Sequence, residues 1–198
     1  TGIINYAQLI QDRMPEGCET LRTYSAEIIA EGERISRIVR SLLAFSRQEH
    51  TPARPYQVSE IISRISLLCS KILEKSEIRL DVDISPGLPP ILCRGEEIAQ
   101  VLLNLIINAR DALNDRFPEW SPEKHVLVSC TLHPARDGWV RLAVRDWGGG
   151  IPDEVHDRVF DPFFSTKTRE TGTGLGLSVS YGIIQAHHGS LSFTTNPG

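Results

Sequence analysis

The 198-residue chain has no CxxC pair; its four cysteines, Cys18, Cys69, Cys93 and Cys130, lie far apart. That spacing points to reduced, mostly buried thiols and a cytoplasmic setting. There is no excess of positive charge: 21 Lys and Arg stand against 25 Asp and Glu, a net charge of −4. Such a balance leaves no electrostatic footprint for nucleic acid. No apolar run reaches the roughly 18 residues of a membrane helix. The most apolar stretch, IAQVLLNLIINA (98–109), is broken by Gln100, Asn104 and Asn108. Signal-peptide character, internal repeats and low-complexity tracts are also missing. What is left is ordinary globular usage, 40% hydrophobic and 23% charged, in a chain long enough for one or two domains.

Residues 1–48 hold few strand signals. From Thr20 onward Leu21, Tyr24, Ile28, Ile35, Ile38, Leu42 and Phe45 recur at spacings of three, four and seven, one stripe of a helix, interrupted by Glu31. Ile3, Tyr6, Ile10 and Met14 give a shorter version, and Pro15 and Gly17 mark a turn between the two. This is a helical hairpin. Its narrow apolar seams are best buried in a dimeric four-helix bundle; the alternative is packing on the chain's own second domain. The prolines of HTPARP (50–55) mark a linker. A helix comes next over 58–76, with Ser59 as its N-cap. Strands are expected at 78–84 and ILC (91–93), then a long helix over 95–115. HVLVSCTL and WVRLAVRD form a hairpin of strands. Residues 147–173 form a long glycine-rich loop, of the kind that carries function. A last helix spans 174–187 and SLSFTT (190–195) reads as a last strand. The class is α+β, with helices on one face of a mixed sheet in the second domain.

Four stretches suggest chemistry. In NLIINARDA (104–112) Asn104 and Asn108 share a helix face, with Arg110 and Asp111 beside them. The pair either caps a neighbouring loop or turns amide oxygens toward magnesium, a hard ion that takes oxygen ligands. In DWGGGIP (146–152) a carboxylate ends a strand ahead of three glycines. Asp146 either forms a tight turn or accepts from an exocyclic amine such as adenine's, with Gly148 and Gly150 clearing space for a flat ring. In VFDPFFSTK (159–167) Phe160, Phe163 and Phe164 would anchor a loop to the core, and Lys167 would reach a phosphate. In TGTGLGL (171–177) glycines open a helix. Each costs that helix roughly 1 kcal/mol against alanine. Bare N–H groups at a helix start, aided by the dipole, would receive a polyphosphate there.

Taken in order, NLIINARDA, DWGGGI, FDPFFSTK and GTGLGL closely resemble the asparagine box, the two glycine boxes and the phenylalanine box of the histidine-kinase ATP-binding domain. ERISRIVRSLLAFSR (33–47) resembles the second helix of that family's dimerisation and phosphotransfer hairpin. The resemblance implies a Bergerat α/β sandwich, shared with DNA gyrase, mismatch-repair and chaperone ATPases. It divides the chain into a phosphotransfer hairpin (1–49), a linker (50–55) and an ATP-binding domain (56–198). It implies ATP and Mg2+ as cofactors, with Asn108 holding the metal and Asn104 assisting. It has Asp146 reading adenine and Lys167 contacting phosphate. Arg110, Asp111, Gly148, Gly150, Ile151, Phe163, Thr173, Gly174, Leu175 and Gly176 complete the expected nucleotide site, Gly172 to Gly176 hinging a lid. The expected partners are a second copy through residues 1–48, a response-regulator receiver domain and an upstream sensor domain. The setting is cytoplasmic, with the full-length protein open to membrane anchoring.

Two departures from the family pattern carry expectations. The family's phosphoacceptor histidine sits in a pattern like H-E-x-x-N-P-L, and TGIINYAQLI resembles the segment just C-terminal to that pattern. His50, His125, His133, His156, His187 and His188 all lie elsewhere, so the acceptor is expected upstream of Thr1. The chain given is then expected to bind ATP without phosphorylating itself. The family also adds a strand beyond TTNPG, so the last strand is expected to be missing. Competing readings are a gyrase-type ATPase and a non-catalytic nucleotide-sensing module. In the ATPases a glutamate precedes the magnesium asparagine by one turn and activates water. Asn104 occupies that position here and cannot accept a proton, which favours the kinase.

Overall fold

A computed structural model describes residues 2–15, 17–46, 52–167 and 172–195, and gives no side-chain description for 33, 34 and 36–46. The chain falls into two compact units, 1–49 with 159–178 and 50–158 with 179–198.

In the first unit α1 (Gly2–Asp12) and α2 (Glu19–Ser46) form the expected hairpin. The short helix closes two residues before Met14, ahead of Pro15. Small residues set the helix contact: buried Ser25 donates its hydroxyl to the Ala7 carbonyl at 2.6 Å, and Ala7 is itself buried. Most of the described large apolar side chains are not covered. Tyr6, Ile10, Tyr24, Ile28 and Ile35 are all exposed. Ile38, Leu42 and Phe45 lie outside the described side chains.

The second unit holds the core. Arg54 and Pro55, assigned to the linker by sequence, enter β1 (Arg54–Tyr56). Strand β1 pairs antiparallel with β3 (Ile91–Cys93). His50 and Thr51 lie outside the described residues. The larger sheet runs β2–β4–β5, formed by Arg79–Ile84, His125–Leu132 and Val140–Asp146. Strand β2 is parallel to β4 and β4 antiparallel to β5. A parallel pair needs a crossover, supplied here by α4 (Gly95–Arg116). Strand β4 alternates as its sequence does, with Val126, Val128 and Cys130 buried. Against this face pack α3 (Val58–Lys75) and α4 through Ile62, Ile65, Leu73, Leu102, Ile106 and Leu113. Burial pushes the thiols of Cys69, Cys93 and Cys130 up, so they stay protonated at neutral pH.

Three local expectations change. Helix α3 is capped by Gln57, without a side-chain hydrogen bond, and not by Ser59. Val58 is buried, so the core draws the cap two residues earlier. The loop after β5 is not wholly irregular: Asp153–Arg158 form a 3-10 helix. SLSFTT is not a strand in this structure. A strand needs a neighbour in register, and residues 190–195 have none among the described residues. One tie on this segment comes from a side chain: the Ile151 N–H donates to Thr195 Oγ1 at 3.0 Å. Residues 196–198 lie outside the described set.

Candidate functional site

Helix α4 carries the first group of residues. Its buried positions, Ile98, Leu102, Ile106 and Leu113, follow the helical period. Asn104 and Asn108 stand beside this stripe and are half-buried. Asn104 Nδ2 donates to the Ser180 hydroxyl at 3.2 Å. Ser180 is fully buried on α5 (Gly176–Ala186), so this bond orients the Asn104 amide. Arg110 and Asp111 pair with each other, Nε to Oδ1 at 2.8 Å. Their opposite charges largely cancel at that point of the surface.

The second group is the turn after β5. The Gly148 N–H donates to Asp146 Oδ1 at 2.8 Å, so the carboxylate does form a tight turn. That bond uses Oδ1 and leaves Oδ2 outside the turn. A Cβ on Gly148 would lie 2.6 Å from the Ala112 Cβ and 2.9 Å from its carbonyl carbon. Glycine is therefore required for the turn to sit on α4. Gly150 takes a left-handed φ of 72°. Both backbone polar groups of Ile151 are engaged: its N–H by Thr195, and its carbonyl by the His156 ring, whose Nε2 donates at 2.9 Å.

The third group belongs to the other compact unit. Phe163 is 66% exposed with φ 66°. It is thus not the core anchor expected from its hydrophobicity: a left-handed turn projects its side chain outward. Gly174 (φ +65°) packs against that turn, where a Cβ would lie 2.6 Å from the Phe163 carbonyl oxygen. A Cβ on Gly172 would come 3.0 Å from that of Lys167. These two glycines therefore have a steric role within their own loop. Lys167 N–H donates to Ser165 Oγ at 3.1 Å. The Leu175 N–H reaches Thr173 Oγ1 at 3.4 Å, and Leu175 is buried. Helix α5 opens at Gly176, two residues later than expected. Thr168–Thr171 lie outside the described residues.

Residues 94–198 match the family model described as histidine kinase-, DNA gyrase B- and HSP90-like ATPase. The chain belongs to that family. Residues 1–51 match the His Kinase A (phospho-acceptor) domain. Within the family the chain sorts with the two-component sensor histidine kinases. It is 33% identical over 202 residues to the sensory histidine kinase/phosphatase NtrB of Klebsiella oxytoca, covering all of this chain and 55% of the relative. It is 30% identical to the sensor histidine kinase ZraS of Escherichia coli K12, covering 100% of this chain and 40% of the relative. Histidine kinase ThkA, solved in complex with the response regulator protein TrrA, matches 94% of this chain and 51% of its own, with TM-score 0.66 and 25% identity. Acinetobacter baumannii AdeS matches 99% of this chain and 88% of its own, with TM-score 0.64 at 22% identity, a likeness of fold alone. The chain spans about half the length of its NtrB relatives. No helix among the described residues is long and apolar enough to cross a membrane.

Sequence patterns missed some contacts that shape this histidine-kinase fold around α4. The His187 ring, 8% exposed, accepts the Arg94 N–H at Nε2, 3.0 Å away, and donates from Nδ1 to the Ile183 carbonyl at 2.8 Å. It thereby satisfies the backbone N–H at the α4 N-cap. Arg116 and Ser180 were missed for the same reason: their partners lie 32 and 76 residues away. Only the four-residue step from Ala112 hinted at Arg116.

Proposed function

We propose that this chain is the dimerisation and catalytic core of a sensor histidine kinase, binding Mg-ATP and passing its γ-phosphate to a histidine. A response-regulator aspartate would be the next acceptor. The observation that carries the proposal is the joint arrangement on α4: the Asn104 and Asn108 amides along it, and the Asp146–Gly148 turn seated on Ala112.

These residues suit the ligand. Asp146 keeps Oδ1 on the Gly148 N–H, so Oδ2 is the oxygen to accept from the adenine amine. Gly148 and Gly150 keep side chains off the base, while Ile151 and the exposed Phe163 would offer apolar contact; Leu175, buried, would take part through its backbone. Asn104, Asn108, Arg110 and Asp111 serve the phosphate end. Asn108 supplies a hard amide oxygen for magnesium, whose chemistry is to neutralise charge building on the phosphates. Lys167 and the amides of Thr173–Gly176 would meet the phosphates. Positioning supplies much of the rate in phosphoryl transfer, so the side chains need no covalent step. Asn104 lacks a proton-accepting group, and water attack should accordingly be slow.

Dimerisation through residues 1–48 is supported by the match of 1–51 to the His Kinase A domain and by the uncovered Ile28 and Ile35. The response-regulator partner is supported by the ThkA complex. The test uses the full-length product of the reading frame with γ-labelled ATP and magnesium. Acid-labile, alkali-stable label on histidine is expected, and Asn108→Ala should abolish it. Brisk phosphate release without protein label would move the chain to the ATPase reading.

A further inference from the structure

The stripe of α4 that bears Asn104 and Asn108 continues at the same four-residue step through Ala112 to Arg116. Ala112 is the seat of the Gly148 turn. Arg116, in the last turn of the helix, reaches over the same turn. Its Nη1 donates to the Gly148 carbonyl at 2.9 Å and to the Trp147 carbonyl at 3.3 Å. Two successive carbonyls are thus held by one guanidinium nitrogen. The Trp147 carbonyl belongs to the same peptide unit as the Gly148 N–H that is aimed at Asp146 Oδ1, and the Gly148 carbonyl belongs to the next one. On the Trp147 side, the indole stacks on His125 with ring centroids 3.7 Å apart, and the Arg145 guanidinium lies 4.7 Å from the indole centre.

We propose that Arg116 is a positioning residue for nucleobase selection: by clamping the Trp147 and Gly148 carbonyls it fixes the direction of the Asp146 carboxylate. This rests on the reading of Asp146 as the adenine acceptor. In this role Arg116 acts through the two carbonyls it holds. A carboxylate held in one direction rewards a donor placed opposite it and penalises an acceptor there. Adenine offers an amine at that edge, whereas hypoxanthine offers a carbonyl oxygen. A carboxylate free to swing away discriminates less between them. Arginine suits the task because its guanidinium stays charged and a single Nη carries two N–H donors, one for each carbonyl.

The experiment measures dissociation constants for ATP and for inosine triphosphate by calorimetry, on the 198-residue chain and on Arg116→Met. Methionine keeps an unbranched apolar stem and removes every donor. The wild-type chain should prefer ATP. In Arg116→Met, ATP affinity should fall about five- to tenfold, as expected for lost charge-assisted hydrogen bonds at a partly exposed site. Affinity for inosine triphosphate should change little, so most of the preference disappears. A merely structural role would lower the melting temperature and weaken both ligands equally. An Arg116→Met chain that retains the wild-type preference overturns this proposal alone. A wild-type chain that binds both nucleotides equally overturns the adenine role of Asp146 and this proposal with it. If Arg116→Met does not fold, Arg116→Gln is judged by the same ratio, since its shorter amide cannot bridge both carbonyls.

Discussion

In α1 and α2, Tyr6, Ile10, Tyr24 and Ile28 stand exposed, while the described buried residues are the small Ala7 and Ser25. In α3 and α4, Ile62, Leu73, Leu102, Ile106 and Leu113 are each almost fully buried. The periodic apolar pattern is similar in the two regions, and its use is opposite. The α/β unit closes its core within one chain. The hairpin leaves its seam for another surface, and bundle formation would cover it. Stability in the first is intramolecular, whereas in the second, with the seam covered in the proposed dimer, it would depend on protein concentration. Substitutions should therefore separate the two regions cleanly.

The largest effect belongs to the closed core. Leu102→Ala removes a side chain that is 1% exposed between α3, α4 and the sheet. A cavity of this kind costs about 2–5 kcal/mol. The melting transition of residues 50–198 should drop accordingly, read by calorimetry, while the oligomeric state is kept. Loss of the dimer in Leu102→Ala would blur the proposed independence of the two regions.

Ile28→Glu is the mirror test. Ile28 is 48% exposed in the single chain, so the monomer tolerates a charge there. Covered by a second copy, the same carboxylate would lose its water. A penalty of at least about 3 kcal/mol weakens the dimer about a hundredfold. Light scattering at tens of micromolar should find monomers, and the melting of the α/β unit should not move. A wild-type chain that is monomeric under those conditions counts against the bundle.

Asp146→Asn touches neither the core nor the seam. It should spare melting and oligomeric state while weakening ATP. Exchanging the acceptor-only carboxylate for an amide loses one charge-assisted hydrogen bond, roughly 1.5–3 kcal/mol, or about tenfold or more in affinity. Equal calorimetric affinities for mutant and wild type would remove Asp146 from the adenine role.

The same contrast explains what could be read in advance. Strand β4 was legible residue by residue because Val126, Val128 and Cys130 alternate with half-exposed neighbours. Helix α4 was legible because its apolar positions keep the helical period across Asn104 and Asn108. Contacts without a period stayed hidden. Arg94 to His187, Asn104 to Ser180 and Arg116 to Gly148 join side chains and backbone across long sequence separations. Phe163 misled for another reason: hydrophobicity suggested burial, but its left-handed backbone turns the ring outward. SLSFTT has the composition of a strand, yet composition supplies no pairing partner.

The smallest expected effect lies at one of those hidden contacts. Ser180→Ala removes the hydroxyl that receives the Asn104 amide. Alanine fits the buried space, so no overpacking arises. Asn104 is only half-buried, and water can replace the lost acceptor. The cost should be near the ordinary net value of one hydrogen bond, about 1 kcal/mol, or roughly 2–4 °C in melting temperature. The informative measurement is affinity for ATP with magnesium and with a chelator. If Ser180 orients Asn104 toward the metal-bound phosphates, the affinity should fall about two- to fivefold with magnesium, under about 1 kcal/mol, and hold steady without it. An equal fall under both conditions would make Ser180 a packing contact between α4 and α5. It would leave Asn108 as the single asparagine whose removal acts through the metal.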